Sequence, residues 1–337
     1  MNLSDLPAII TAVVVLAFLV FTGFRLGPQF LVRRLAGLLF VVLGVTFITF
    51  ILGYFAPGDA VIAQLGQHYT PQNARALRHL YGLDLPWYTQ YGNFLYRLLH
   101  FDLGPSWVDR TRDVWDILRL YVPASMTLGL SSIVVALVIG VPLGMLAAVR
   151  ANTRYDTVIQ TIGLVMFAVP IFVIIPFYQL AMVQLSNNGL PHLQPSGWGT
   201  WDTMIAPIAI TGVTSFAFYL RFTRTSLIEV LRQDYVRTAR AKGLNERIVL
   251  WRHAFRNAVL PLITILGPAI GFVVTGLFIT ENLFNIPGVG QEGINAIVAR
   301  DFPVVQGIGI LLAVAVALMN LVADVVYGIV DPRIKVS

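Results

Sequence analysis

The chain has 337 residues, of which 57% are hydrophobic and only 12% are charged, and it carries a formal net charge of +6 and no cysteine. A soluble domain carries about 25% charged residues to keep its surface wetted. This composition therefore excludes an ordinary soluble domain and indicates a protein solvated by lipid. The lack of cysteine excludes disulfides and thiolate metal sites.

Seven stretches are apolar and long enough to cross a bilayer, because a spanning helix needs about 20 mostly apolar residues. They lie at 8–24, 30–52, 124–149, 157–184, 204–228, 261–283 and 304–330. The residues before the first stretch contain no Lys or Arg, which favours an extra span over a cleaved signal sequence. We predict an all-α integral membrane protein with about seven transmembrane helices.

Basic residues alternate along the loops. The segment 221–256 holds nine Lys and Arg, and 25–34 holds three, whereas 186–203 holds none and 282–303 holds only Arg300. Basic loops face the cytoplasm. The pattern therefore predicts an external N-terminus and a cytoplasmic C-terminus, and it explains the positive charge without nucleic-acid binding.

The segment 53–123 is predicted to lie outside the membrane. Its stretches 71–81 and 87–101 carry aromatic and Leu positions at helical spacing, which predicts short helices on the membrane surface. Two interpretations of this segment stay open: an external cap, or a docking surface for an outside partner.

The polar segment 229–260 separates the fifth and sixth spans. Its first part predicts a helix over 235–242, which Gly243 ends in a left-handed conformation. Asn245 is predicted to cap a second helix that runs to Asn257. The result is a basic helix–glycine–helix elbow on the cytoplasmic face. Attraction of a loop to anionic lipid would explain its charges, but not the paired helices with their glycine and aromatic residues.

This elbow resembles the cytoplasmic coupling loop of ABC importer permeases, through Ala-Arg-Ala-Lys-Gly at 239–243 and Leu-Pro at 260–261. The runs 234–244 and 252–261 are similar to the B-type permease of the peptide/nickel branch. Two departures from the wider superfamily are Arg237, where an acidic residue is usual, and a longer Gly-to-Pro distance. Further matches follow in order at 56–59, 81–86, 102–106, 140–144, 280–290, 301–307 and 324–333.

The resemblance implies a type I ABC importer permease-like bundle, with residues 1–26 as an extra helix and 27–337 as the permease domain. It also implies a bacterial or archaeal plasma membrane location. The implied partners are a second homologous permease subunit, two ABC ATPase subunits and an extracytoplasmic binding protein. ATP and Mg would bind the ATPase subunits, because this chain has no Gly-x-x-x-x-Gly-Lys-Ser/Thr loop. No cofactor and no enzyme activity are expected in this chain.

Three groups of residues are candidate sites. Glu281 and Asp324 would be costly facing lipid, so each is expected to serve the translocation path or gate, or to pack between helices or subunits. The turn 280–290 is predicted to be external, with Pro287, Gly288 and Gly290 as contacts for the binding protein. The residues expected to couple to the ATPase are Tyr235, Ala239, Ala241, Lys242, Gly243, Leu244, Arg252, His253 and Asn257.

Two other functional classes compete with the importer interpretation. An ion-coupled secondary transporter would need midplane carboxylates or broken helices in two repeated halves, and an intramembrane enzyme would need a catalytic constellation; neither pattern is evident. The histidines show no paired metal-ligand spacing. Within the importer interpretation the substrate stays open among peptides, nickel complexes, glutathione and oligosaccharides.

Overall fold

The structure, a computed structural model, describes residues 28–56 and 59–330. The predicted first span at 8–24 lies outside the described residues. Within them the chain is helical, and its β pairing is limited to an isolated bridge between Pro105 and Asp113.

The described helices are numbered here in chain order. They are α1 (Pro28–Phe55), α2 (Ala60–Leu65), α3 (Pro71–Leu80), α4 (Trp87–Leu99), α5 (Val114–Val149), α6 (Arg154–Ala168), α7 (Ile171–Asn187), α8 (Trp201–Leu231), α9 (Asp234–Ala241), α10 (Glu246–Ala258), α11 (Leu260–Val273), α12 (Phe278–Phe284), α13 (Val289–Ala299) and α14 (Phe302–Val330). The surface helices predicted at 71–81 and 87–101 are confirmed as α3 and α4.

Among the described residues, four helices are long and apolar enough to cross a membrane: α1, α5, α8 and α14. Two bent pairs also pass this test, α6 with α7 at 84° and α10 with α11 at 47°, so up to six spans are present if each pair is one span. The six predicted spans that fall within the described residues coincide with α1, α5, α6 and α7, α8, α11 and α12, and α14, whereas α10 belongs to the polar segment 229–260.

Two predicted spans are wrong in detail. The stretch 157–184 is broken at Val169, because Pro170 disfavours helical geometry in the preceding residue, and Val169 is extended with ψ 117°. The stretch 261–283 ends as a span at Val273, and α12 is a separate helix. Gly276, with φ +86°, turns the chain between them.

Helices α5 and α8 form the centre of the bundle and touch backbone to backbone. A Cβ atom on Gly140 would lie 2.6 Å from the carbonyl oxygen of Phe216, and one on Gly144 would lie 2.6 Å from that of Leu220. Small residues four apart allow this approach. Membrane helices associate through such close packing because lipid provides no hydrophobic driving force between apolar side chains. Helix α11 meets α14 in the same way at Gly271, where a Cβ would lie 2.6 Å from the Cα of Val316.

The two ends of the bundle carry different structures. At the basic end, α9 and α10 pack under the last turns of α5 and α8. At the opposite end, the loop between α4 and α5 is held to the start of α14 by Asp301, which is 4% exposed. Its carboxylate accepts hydrogen bonds from Ser106 Oγ, Trp107 N at 3.0 Å and Val108 N at 3.3 Å.

The α5–α8 contact predicts that Gly144→Ala lowers stability by about 1–3 kcal/mol, because the added methyl forces apart two packed backbones. The matched control is Gly37→Ala in α1, where a Cβ meets nothing within 4 Å. Thermal unfolding of the purified protein, followed by fluorescence, measures both. Equal melting temperatures for the two variants would contradict the proposed packing.

Candidate functional site

The elbow between α8 and α11 has the turn that the sequence predicts. Gly243 has φ +75° and its N–H donates to the carbonyl of Arg240 at 2.9 Å. A Cβ there would meet nothing within 4 Å, so the backbone angle alone requires glycine. Asn245 then caps α10, since its side chain accepts from Arg247 N at 3.0 Å. The predicted glycine stop and asparagine cap are both confirmed.

Helix α10 contains a π-helical stretch, Val249–Phe255, that the sequence does not signal. The wider turn changes which residues share a face. Val249, Ala254 and Ala258 are buried, at spacings of five and then four residues, while Trp251 is 59% exposed. The π turn thus directs two alanines towards the bundle and leaves the tryptophan outside.

The underside of the elbow rests on the two central helices. Val236, Ala239 and Val249 form a buried cluster beside the end of α8. Ala254 and Ala258 pack in a second cluster with Met145 of α5 and Leu227 of α8. The elbow therefore contacts both members of the central pair.

Polar contacts hold the two arms of the elbow together. Arg240 pairs with Glu246 at 2.6 Å, and Asn257 Nδ2 donates to the Tyr235 hydroxyl at 2.7 Å. The hydrogen bond from Arg240 lowers the pKa of Glu246, and desolvation opposes that shift. Because the folded pKa is depressed, this stabilisation is present at neutral pH and is lost as pH falls through the folded value.

A buried ion pair links the start of α6 to α8 close to the elbow. Arg224 donates from Nε and Nη2 to the two carboxylate oxygens of Asp156, each at 2.7 Å. The Asp156 side chain is 3% exposed, and it also accepts from Asn152 N and Gln160 Nε2. Sequence reasoning missed this pair. Its only signal was a carboxylate within an otherwise basic connection.

Glu281 at the opposite end is fully buried, and hydrogen bonds satisfy both of its oxygens. Oε1 accepts from Ser125 Oγ and Leu277 N, each at 2.8 Å. Oε2 accepts from the first turn of α13, from Gly290 N at 2.7 Å and Gln291 N at 3.1 Å. A carboxylate at a helix N-terminus is favoured by the exposed amides and the helix dipole. Glu281 therefore joins α12, α13 and α5, and packing between helices accounts for all of these contacts.

The glycines of the same turn leave room for that carboxylate. Gly288 and Gly290 are buried, and a Cβ on Gly290 would lie 2.8 Å from Glu281 Oε2. Of the three residues predicted to touch a binding protein, Pro287 alone is exposed. Direct contact with an outside partner stays a prediction for Pro287, whereas the buried positions of the two glycines argue against it for them. Asp324 lies half-buried in α14.

Comparison with known proteins places these features in a family. Residues 140–336, more than half of the chain, match the family described as "Binding-protein-dependent transport system inner membrane component". Residues 28–129 match the corresponding N-terminal family. The chain belongs to this family. The family predicted from the motifs is thereby confirmed, and the chain is a multi-pass inner-membrane permease component.

Individual relatives extend the match along the chain. The permease is 34% identical over 335 residues to the dipeptide transport system permease protein DppB of Escherichia coli strain K12, covering 91% of this chain and 98% of that protein. It is 34% identical over 332 residues to the di/tripeptide transport system permease protein DppB of Pseudomonas aeruginosa strain UCBPP-PA14, with the same coverage.

A solved structure supports the fold. An inward-facing structure of the MetNI methionine ABC transporter matches with a TM-score of 0.53 and 18% identity, covering 64% of this chain and 97% of that chain. At this identity the likeness shows the fold alone, and it confirms the predicted type I importer permease bundle.

In this permease, most of the predicted coupling residues lie on the free side of the elbow. Ala239 is buried and His253 is half-buried. The exposed members are Tyr235, Ala241, Lys242, Gly243, Leu244, Arg252 and Asn257. Ile248 and Trp251, which were not among the predicted residues, are exposed apolar side chains of the same elbow, as is Leu244. Exposed apolar residues grouped on a polar segment are typical of a contact surface.

The Glu281 network predicts that Glu281→Gln lowers stability by about 3 kcal/mol, because an amide cannot accept all four hydrogen bonds and turns its own donors towards backbone N–H groups. Thermal unfolding in detergent provides the measurement. Glu229→Gln is the matched control, since Glu229 is exposed on α8. A melting temperature for Glu281→Gln equal to that of the control would show that the buried network is not needed.

Proposed function

We propose that this permease carries short peptides across the membrane and that the elbow couples its movement to ATP hydrolysis by partner subunits. The observation that supports coupling is the two-sided elbow: one side packs on α5 and α8, and the other exposes apolar residues. A surface of this kind suits docking of a helical segment into a groove on another protein.

The proposed mechanism uses the elbow as a lever. An ATPase subunit that binds ATP and Mg closes on its counterpart and displaces the elbow held in its groove. Ala254 and Ala258 press on the ends of α5 and α8. Because those two helices touch backbone to backbone, they move as a unit and change which side of the membrane the path faces. This chain supplies the path and no hydrolysis.

The proposed substrate class comes from the relatives, whose names specify dipeptides and di- or tripeptides. An extracytoplasmic binding protein would deliver the peptide, and a second, homologous permease would complete the path as a heterodimer. Nickel complexes, glutathione and oligosaccharides are the competing substrates. Uptake of labelled dialanine by vesicles that hold the complete transporter tests the peptide assignment. Vesicles that take up one of the competing substrates but not dialanine would refute it.

Gly243→Pro and Gly243→Asp are expected to abolish ATP-driven uptake while membrane insertion stays normal. Proline cannot reach φ +75° and removes the N–H bonded to Arg240, and aspartate resists the same angle. Gly189→Asp is the matched control, because Gly189 has φ +67° in open space far from the elbow. Full uptake by both elbow variants would refute coupling through this segment.

Trp251→Ala is expected to weaken association with the ATPase subunits about tenfold or more, as loss of an exposed aromatic anchor does at interfaces. Its melting temperature should not change, because the side chain lies outside the core. Trp201→Ala, at a tryptophan that is also exposed and lies on the first turn of α8, is the control. Co-purification and nucleotide-hydrolysis rates of the complex are the measurements.

Solute movement by this chain with no ATPase present would instead favour an ion-coupled carrier.

A further inference from the structure

A cavity of about 780 Å³ lies at the end of the bundle opposite the elbow. It opens to the outside of the molecule and is lined by the end of α1, by α3 and α4, by the loop that follows α4, and by the start of α14. We call it the side cavity. Aromatic side chains, including Phe50, Tyr54 and Phe302, form part of its wall, while Asn93 and Gln306 contribute polar groups. Nothing in the coupling mechanism uses it.

Arg97 gives the side cavity an uncompensated positive charge. Within the described residues, no carboxylate lies within ion-pair distance of Arg97, and the one acidic residue among the cavity walls, Asp59, is engaged by Arg78. The Arg97 guanidinium lies over Gly104, where a Cβ would be only 2.9 Å from Nη1. Gly104 also has φ +81°. The guanidinium of Arg97 therefore lies against the backbone of the loop that follows α4.

The depth of the side cavity matches the border between hydrocarbon and headgroups. The apolar span of α1 runs to Phe55, and its residues Phe50 and Tyr54 line the cavity. Helix α4 lies beside this part of α1, because the Tyr91 ring packs 5.2 Å from that of Phe50. On the free side of α4, Tyr88 is 63% exposed. Aromatic residues concentrate at this depth in membrane proteins.

We propose that the side cavity binds an anionic phospholipid of the outer leaflet, with the phosphate on Arg97 and the upper acyl chains along Phe50 and Tyr54. A guanidinium is well suited to a phosphate group, since it offers several donors in a planar array. The aromatic wall and the volume favour a lipid over a free anion, because an inorganic phosphate would leave most of the cavity unfilled. The site lies at the end opposite the elbow, so it stands apart from the coupling mechanism.

The experiment uses the purified full chain in detergent with dioctanoyl phosphatidylglycerol, dioctanoyl phosphatidylcholine and inorganic phosphate as probes. Binding is measured by native mass spectrometry and by the rise in melting temperature. We expect saturable binding of the phosphatidylglycerol, several-fold weaker binding of the zwitterionic lipid and no effect of phosphate alone. An equal effect of inorganic phosphate would overturn the lipid assignment, because it would show a free-anion site.

Arg97→Gln is expected to weaken phosphatidylglycerol binding at least about tenfold, since it removes the charged hydrogen bonds. Arg75→Gln is the matched control, an exposed arginine on α3 that does not line the cavity. Asn93→Trp is a second test, because it fills the cavity and keeps the charge. The proposal fails if Arg75→Gln weakens binding as much as Arg97→Gln, or if Asn93→Trp folds and binds the lipid normally.

Discussion

The backbone contact between α5 and α8 is the constraint on which the rest of the bundle depends. In lipid, burying apolar side chains between two helices lowers the free energy little, because lipid is as apolar as the side chains. Association of the helices therefore depends on close packing and on polar contacts. Gly140 and Gly144 provide the close packing, and a methyl group at either would collide with carbonyl oxygens of α8. A pair in such contact has few ways to slide. Under the proposed coupling, a displacement at its basic end would therefore be passed along its length.

Polar contacts hold the bent pair α6–α7 at the start of α6 and at the middle of α7. At the basic end, Asp156 fixes the start of α6 to α8 through Arg224. In the middle of α7, Gln179 donates to the carbonyl of Leu283 in α12 at 2.7 Å. Helix α12 is in turn held by Glu281. The break at Pro170 therefore lies between two segments that are each tied to a neighbouring helix by polar contacts.

The features that sequence predicted correctly are local ones. Apolar length defined the spans, and Gly243 and Asn245 defined the elbow, because each acts through its own backbone angle or side chain. The effect of proline on a helix is not local. Pro142 and Pro207 lie inside unbroken helices, whereas Pro170 separates two. The outcome depends on how neighbouring helices satisfy the freed carbonyl groups, which the local sequence does not encode.

The missed features join residues distant in sequence. Arg224 meets Asp156 across 68 positions, and Ser125 meets Glu281 across 156. In the sequence, each of these four residues is an isolated polar group in or near a span. Its partner is identified only in the packed bundle. The sequence likewise does not show that the matching segments 102–106 and 301–307 contact each other. In the structure, Ser106 Oγ donates a hydrogen bond to the Asp301 carboxylate.

The charge at the elbow bears on which partner it would accept. Arg237 occupies the position where the wider superfamily has an acidic residue; its side chain is 70% exposed and pairs loosely with Asp234 at 3.5 Å. Lys242 and Arg252 are exposed on the same segment. Under the proposed coupling, a groove that suits an acidic residue would be basic and would bring positive charges close to Arg237. Repulsion between like charges disfavours a partner more strongly than the loss of a contact does. Under the proposed coupling, the exposed Arg237 would be matched best by an ATPase groove with acidic residues facing it, so the charge at this position would contribute to partner choice.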